Sequence, residues 1–156
     1  MQVSRTCYIA RMNEDHFAKL ERMYLNTKIN VEIFPSTTVK ITQGKAEIAI
    51  SVNENYFHAL GAIHGSIYFK LLDDAAFFAV NSVVKDFFVL TTSFNTQLVR
   101  PVSSGRIYAK GELKFQSKNL FIAEATLYNE QDREVGFGTG NFMKSRTELT
   151  PNIGYA

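Results

Sequence analysis

Two adjacent carboxylates, Asp73 and Asp74, stand in the middle of an otherwise apolar stretch, His58 to Asn81 (HALGAIHGSIYFKLLDDAAFFAVN). A buried carboxylate is costly unless it has a partner, a wet cavity or a chemical task. Held among apolar groups, it can act as a general base or a nucleophile. Ile67, Leu71, Leu72, Ala75, Ala76, Ala79 and Val83 recur at helical spacing, and Phe69, Phe77, Phe78 and Val80 fill most other faces. That pattern predicts a buried helix from about Gly65 to Val84. A helix start offers unpaired N–H groups and a positive dipole end, so the Gly65 N–H suits a developing oxyanion. Lys70 lies three residues before Asp73 and four before Asp74. An ion pair with Lys70 is the purely structural alternative for either acid. On these residues alone an ion pair is the commoner reading of Asp73, and Asp74 reads as structural or solvated. His58 reads as structural or secondary, and His16 as a surface residue.

The elements around this helix follow from the same periodicities. Glu14 to Asn26 has Phe17, Leu20, Tyr24 and Leu25 at helical spacing, with Asn13 as an N-cap. Val39 and Ile41, a turn at Gln43-Gly44-Lys45, then Ala46, Ile48, Ile50 and Val52 predict a hairpin. After the buried helix, Phe88, Leu90, Phe94 and Leu98 share one face of a long strand. Val89, Thr91, Ser93, Asn95 and Gln97 share the other. Arg106 to Gln116, Leu120 to Asn129 and Glu134 to Met143 are three further strands joined by short polar turns, hence antiparallel neighbours. Gly136, Gly138 and Gly140 leave one strand face flat, open to another backbone or a ligand. No periodicity is visible after Ser145. The expected class is α+β, with one long helix inside a curved antiparallel sheet.

A chain of 156 residues is long enough for one domain with a substantial core. A net charge of +2, without any Lys/Arg run, argues against a nucleic-acid partner. No stretch is long and apolar enough for a membrane span, and the N-terminus lacks the apolar core of a signal peptide. The single cysteine, Cys7, excludes an intrachain disulfide and fits a reducing compartment, so a cytoplasmic location is expected. Three scattered His and one Cys make no metal-ligand spacing. There is no G-x-S-x-G elbow, and the glycines of the last strand precede no helix.

Gly61, His64-Gly65, Asp73 nine residues after the His, then Ala75-Ala76 form a distinctive series. Asn95, Pro101 and Gly105 extend it. Over roughly residues 40–144 the chain resembles the hot-dog-fold thioesterases, most closely the phenylacetic-acid-degradation type. The resemblance implies a core at 37–144, a helical extension at 1–34 and a tail at 145–156. It implies Asp73 as the base or nucleophile, Gly65 as the N–H that polarises the thioester carbonyl, and His64 as its neighbour in the active-site turn. Thr91, four residues before Asn95, matches the hydroxyl that positions water, with Thr92 as the fallback. His58 stands where the family has Asn or Gln, and Ser66 where it often has Gly.

The implied function is hydrolysis of an acyl-CoA to acid and free CoA, with no cofactor and no metal. Phe69 and Phe77 would shape the acyl pocket. Arg100, Lys118 and Arg106, beside strand ends, are candidates for the CoA phosphates. The resemblance implies a homodimer, with dimers pairing into a tetramer. Two other functions stay open: acyl-CoA binding without hydrolysis, and a hot-dog hydratase.

Overall fold

The computed structural model describes the backbone from Arg5 to Ala156 and the side chains from residue 13 onward; Cys7 lies outside the described side chains. Helix α1 runs Arg5–Leu25 and is followed by a π-helical turn, Ile29–Ile33. Strands β1 (Thr38–Thr42) and β2 (Lys45–Ser51) form the hairpin, turned at Gly44 with φ +72°. Helix α2 spans Gly65–Asn81. Strands β3 (Phe87–Leu98), β4 (Arg106–Gln116), β5 (Leu120–Asn129) and β6 (Glu134–Glu148) complete one sheet, and a 3-10 turn at Pro151–Ile153 precedes the end. The spatial order is β1-β2-β4-β5-β6-β3, antiparallel throughout. The chain therefore leaves β2 near one edge, passes along the sheet as α2, and re-enters at the far edge as β3.

Helix α2 contacts every one of the six strands. A flat sheet of six strands spaced ~4.8 Å apart is about 24 Å wide, more than twice the ~10 Å diameter of a helix. The sheet must curl around α2 to touch it everywhere, which is the hot-dog arrangement. The tightest point is Gly111 on β4, where a Cβ would lie 2.1 Å from the backbone oxygen of Ala75. Ala75, Ala76 and Ala79 are fully buried, and their small side chains let α2 sit this close. Among the described residues, no helix is long and apolar enough to cross a membrane.

Several expectations need correction. Helix α1 begins well before Glu14, so Asn13 is not its N-cap; the Asn13 side chain instead meets Gln43 and Lys85. His16 is not a surface residue. It is 3% exposed, with Nε2 on the carbonyl oxygen of Asn81 and Nδ1 on the hydroxyl of Tyr155. A carbonyl only accepts, so Nε2 carries the proton and Nδ1 accepts from Tyr155. Burial lowers the pKa of this ring, in keeping with a neutral imidazole. The residues after Ser145 are ordered too, as β6 runs on to Glu148 and Tyr155 packs against His16. Alternation in β4 fails at its end, where a register shift between Leu113 and Phe115 leaves Phe115 half exposed. The flat glycine face is met by the ring of Phe94 on β3 at Gly138 and Gly140, and by the backbone oxygen of Gln97 at Gly136.

The long strand β3 breaks its own alternation. Thr91 pairs with Phe142 but Ser93 pairs with Asn141, so Thr92 is an extra residue in a bulge. A bulge switches which residues face inward. Before it Val89 is buried and Thr91 faces α2; after it Phe94 packs inward. The expected single face of Phe88, Leu90, Phe94 and Leu98 is therefore broken at Thr92.

The backbone-to-backbone approach at Gly111 gives a direct test. Gly111→Ala should lower the unfolding free energy by about 3 kcal/mol in urea titration, because neither the strand nor the helix backbone can withdraw cheaply.

Candidate active site

One stripe of α2 escapes full coverage by the sheet: Ser66, Phe69, Lys70, Asp73, Asp74 and Phe77. These positions recur at three- and four-residue steps, the spacing of one helical face. The two acids differ in what they touch. Lys70 Nζ lies 2.6 Å from Asp74 Oδ2, and the Tyr24 hydroxyl donates to the same oxygen at 2.6 Å. Lys70 Nζ also reaches the Tyr24 oxygen at 2.9 Å. Asp73 is outside this network. Its Oδ1 accepts one hydrogen bond, from Thr91 Oγ1 at 3.0 Å. Burial pushes its pKa up to about 6; the Thr91 hydrogen bond pulls down, the Asp74 charge pushes up and Lys70 pulls down.

The bulge in β3 aims Thr91 at Asp73. Thr92 points away, its hydroxyl donating to the Asn141 carbonyl oxygen. Asp73 and Thr91 line an open cavity of about 740 Å³ with Phe77, Phe78 and Phe88 in its walls. Phe69 lies elsewhere on the stripe, 44% exposed and edge-on to Phe94.

At the other end of α2, His64 is the N-cap, with extended backbone at φ −66° and ψ 148°. Its Nδ1 accepts from the Ser66 N–H at 3.2 Å and lies 2.9 Å from the Ser66 hydroxyl. The Gly65 N–H has no acceptor among the described residues. Gly65 lines a second cavity of about 320 Å³ with His58, Tyr68, Leu98 and Arg100. His58 uses Nδ1 to accept from the Leu60 N–H, and Arg100 donates to the Glu134 carbonyl oxygen.

The structure therefore divides the candidate residues between two separate cavities. Asp73, Thr91 and Phe77 belong to one; Gly65, His58 and Arg100 belong to the other, beside His64 and Ser66. Eight residues of helix separate Gly65 from Asp73, about 12 Å at ~1.5 Å rise per residue. Lys118, in the β4–β5 turn, and Arg106, at the start of β4, line neither cavity. Sequence reasoning missed Tyr24 as the partner of Asp74. Its position on the apolar face of α1 gave no sign of a hydrogen bond reaching across 50 residues.

A model of the thioesterase superfamily matches residues 60–136. Among solved structures, the PaaI protein of the Escherichia coli phenylacetic acid degradation operon superposes with a TM-score of 0.76 at 18% identity, covering 88% of this chain and 99% of its own. A conserved protein from Pseudomonas aeruginosa gives 0.71 at 18% identity, covering 79% and 97%. A mutant of the phenylacetic acid degradation protein PaaI from Thermus thermophilus gives 0.64 at 20% identity, covering 70% and 94%. No curated protein matches the sequence.

The raised pKa of Asp73 has a consequence for stability. Its folded value, about 6, lies above the ordinary 3.8, so the ionised form is penalised in the fold. The penalty is absent below about pH 4 and complete above about pH 6. Asp73→Asn should therefore stabilise the fold at pH 8 and give no such gain at pH 4, as read from urea unfolding at both pH values.

Proposed function

We propose that this chain, which belongs to the thioesterase superfamily, hydrolyses an acyl-CoA to a carboxylic acid and CoA. The observation that carries this reading is the contrast between the two aspartates. Asp74 takes the cation and Asp73 is left with a threonine hydroxyl. With a pKa of about 6, Asp73 is ionised at neutral pH and still basic enough to accept a proton. As general base it removes a proton from water while the oxygen attacks the thioester carbonyl. The carbonyl electron pair moves onto oxygen, where the Gly65 N–H stabilises it. Collapse breaks the C–S bond, and the thiolate recovers the proton from Asp73. As a nucleophile, Asp73 would instead attack the carbonyl itself, expel the thiolate and form an anhydride that water opens. Thr91 fixes the carboxylate in either case.

This chemistry needs two chains. Reacting atoms must approach within roughly 3–3.5 Å, and one carbonyl cannot reach both Gly65 and Asp73 of the same helix. Two copies of α2, antiparallel across a two-fold axis, would set Gly65 of one beside Asp73 of the other, twice. The exposed edge of β3, with Leu90, Leu98 and Val99 about half exposed, is the surface we assign to this pairing. Across the joint, the apolar cavity at Asp73 suits the acyl arm and the Arg100 cavity the CoA arm. Acyl-CoA binding without turnover is the second reading. It draws on His58, whose ring is engaged with its own turn and offers no amide.

A thiol-release assay over a panel of acyl-CoAs separates these readings. Asp73→Asn should cut turnover at least a hundredfold while acyl-CoA still binds, and Asp74→Asn should stay within a few-fold of the parent; an active Asp73 variant would end the assignment.

The two-chain site is tested by mixing. Gly65→Pro removes the N–H at a helix position where proline is tolerated, and His64 already has the backbone that precedes a proline. Mixed with Asp73→Asn, each inactive alone, it should restore one of the two sites per mixed dimer. Inactive mixtures in which mixed dimers demonstrably form would refute a shared site.

A further inference from the structure

The cavity at Asp73 is closed on one side by neither α2 nor the sheet. Met23 and Ile29 come from the end of α1 and the π-turn after it; Ile153 comes from the tail after β6. Both segments lie outside the residues that match the superfamily. They are fastened to each other. Arg22 Nε donates to the Ala156 carbonyl oxygen at 2.7 Å, and Tyr155 donates to His16 at 2.7 Å. Gly154, with φ +87°, lets the tail fold against Met23, where a Cβ would come within 3.6 Å of the Met23 backbone.

Apart from the Thr147 hydroxyl, the polar side chains around the cavity are already engaged. Tyr24, Lys70 and Asp74 satisfy one another, Thr27 bonds the Tyr24 carbonyl, and Thr91 bonds Asp73. What remains open to a ligand is mostly hydrocarbon and aromatic ring, with the Thr147 hydroxyl and the Asp73 carboxylate as its free polar groups. The volume of about 740 Å³ equals that of roughly two dozen waters at ~30 Å³ each. An acetyl group would leave most of it unfilled.

We propose that this cavity holds the hydrocarbon tail of a medium or long straight-chain acyl group, and that the clasp of α1 and the tail sets the chain length, with Ile29 and Ile153 as the stop. The inference rests on the thioesterase reading for its substrate. The occupant is an acyl tail because the cavity opens beside the carboxylate assigned to attack the thioester.

The test measures kcat/KM for acyl-CoAs from acetyl to palmitoyl, and dodecanoate binding by calorimetry, in the parent and in Ile29→Trp and Ile153→Trp. These two side chains are 49% and 37% exposed, so the fold should accept the larger ring. The parent should gain roughly three- to fourfold per added methylene up to a plateau. Each variant should lose at least tenfold on dodecanoyl-CoA relative to hexanoyl-CoA, and bind dodecanoate more weakly. A flat series in the parent, or an unmoved optimum in both variants, overturns the proposal. A changed sedimentation coefficient with unchanged chain preference also overturns it, since the surface would then be a subunit contact. If no acyl-CoA is hydrolysed but dodecanoate binds the parent and not the variants, the hydrolytic reading fails and the acyl cavity stands. Without hydrolysis or dodecanoate binding, both fall.

Discussion

A 17-residue helix that is apolar on most of its surface must be covered on most sides, and one sheet does this only by curling. That demand fixes much else in the chain. It requires a glycine at position 111, where β4 presses on the backbone of α2. It sends β3 to the far edge of the sheet, because the helix has to pass beneath the strands before the chain can return. It also leaves one stripe of α2 uncovered, where the sheet ends. The charged residues of the helix, Lys70, Asp73 and Asp74, fall on that stripe, where they stay partly exposed.

On that stripe, one cation serves two neighbouring acids. Lys70 can hold a carboxylate closely at only one place, and the Tyr24 hydroxyl draws it to Asp74. Placed between the rings of Tyr24 and Phe34, the ammonium is further held by cation–π attraction. Asp73 is left out: its neighbour is paired with the cation, and it is held only by the Thr91 hydroxyl. Helix α1 contributes Tyr24, so an element outside the superfamily match helps decide which acid stays free.

Much of this was legible in the residue pattern. Helix α2 and all six strands follow from periodicity, because burial on one face leaves a regular trace. The places of Gly65 at the start of α2 and Asp73 in its middle followed from periodicity; their chemical roles came only from the resemblance to a family. The bulge at Thr92 left no trace, since an extra residue between two threonines has the composition of an ordinary strand. His16 was misread for a different reason. Its partners, Asn81 and Tyr155, are 65 and 139 residues away, and local periodicity carries no information about contacts of that range. The role of Gly111 was hidden in the same way, because the atoms it makes room for belong to α2.

The two edges of the sheet are unequal. Helix α1 packs against β1, and the Glu21 carboxylate accepts from the outward N–H of Ile41, so that edge is already occupied. Strand β3 is met in this way only near its start, where the Asn81 side chain accepts from the Val89 N–H; the rest of that edge has no such cover among the described residues. A subunit with two bare edges could add copies end to end without limit, as aggregating sheets do. With a single bare edge its valence is one: adding another copy there uses up the adhesive surface of both. By sealing β1, the same helix that contributes Tyr24 keeps strand addition from propagating into a fibre.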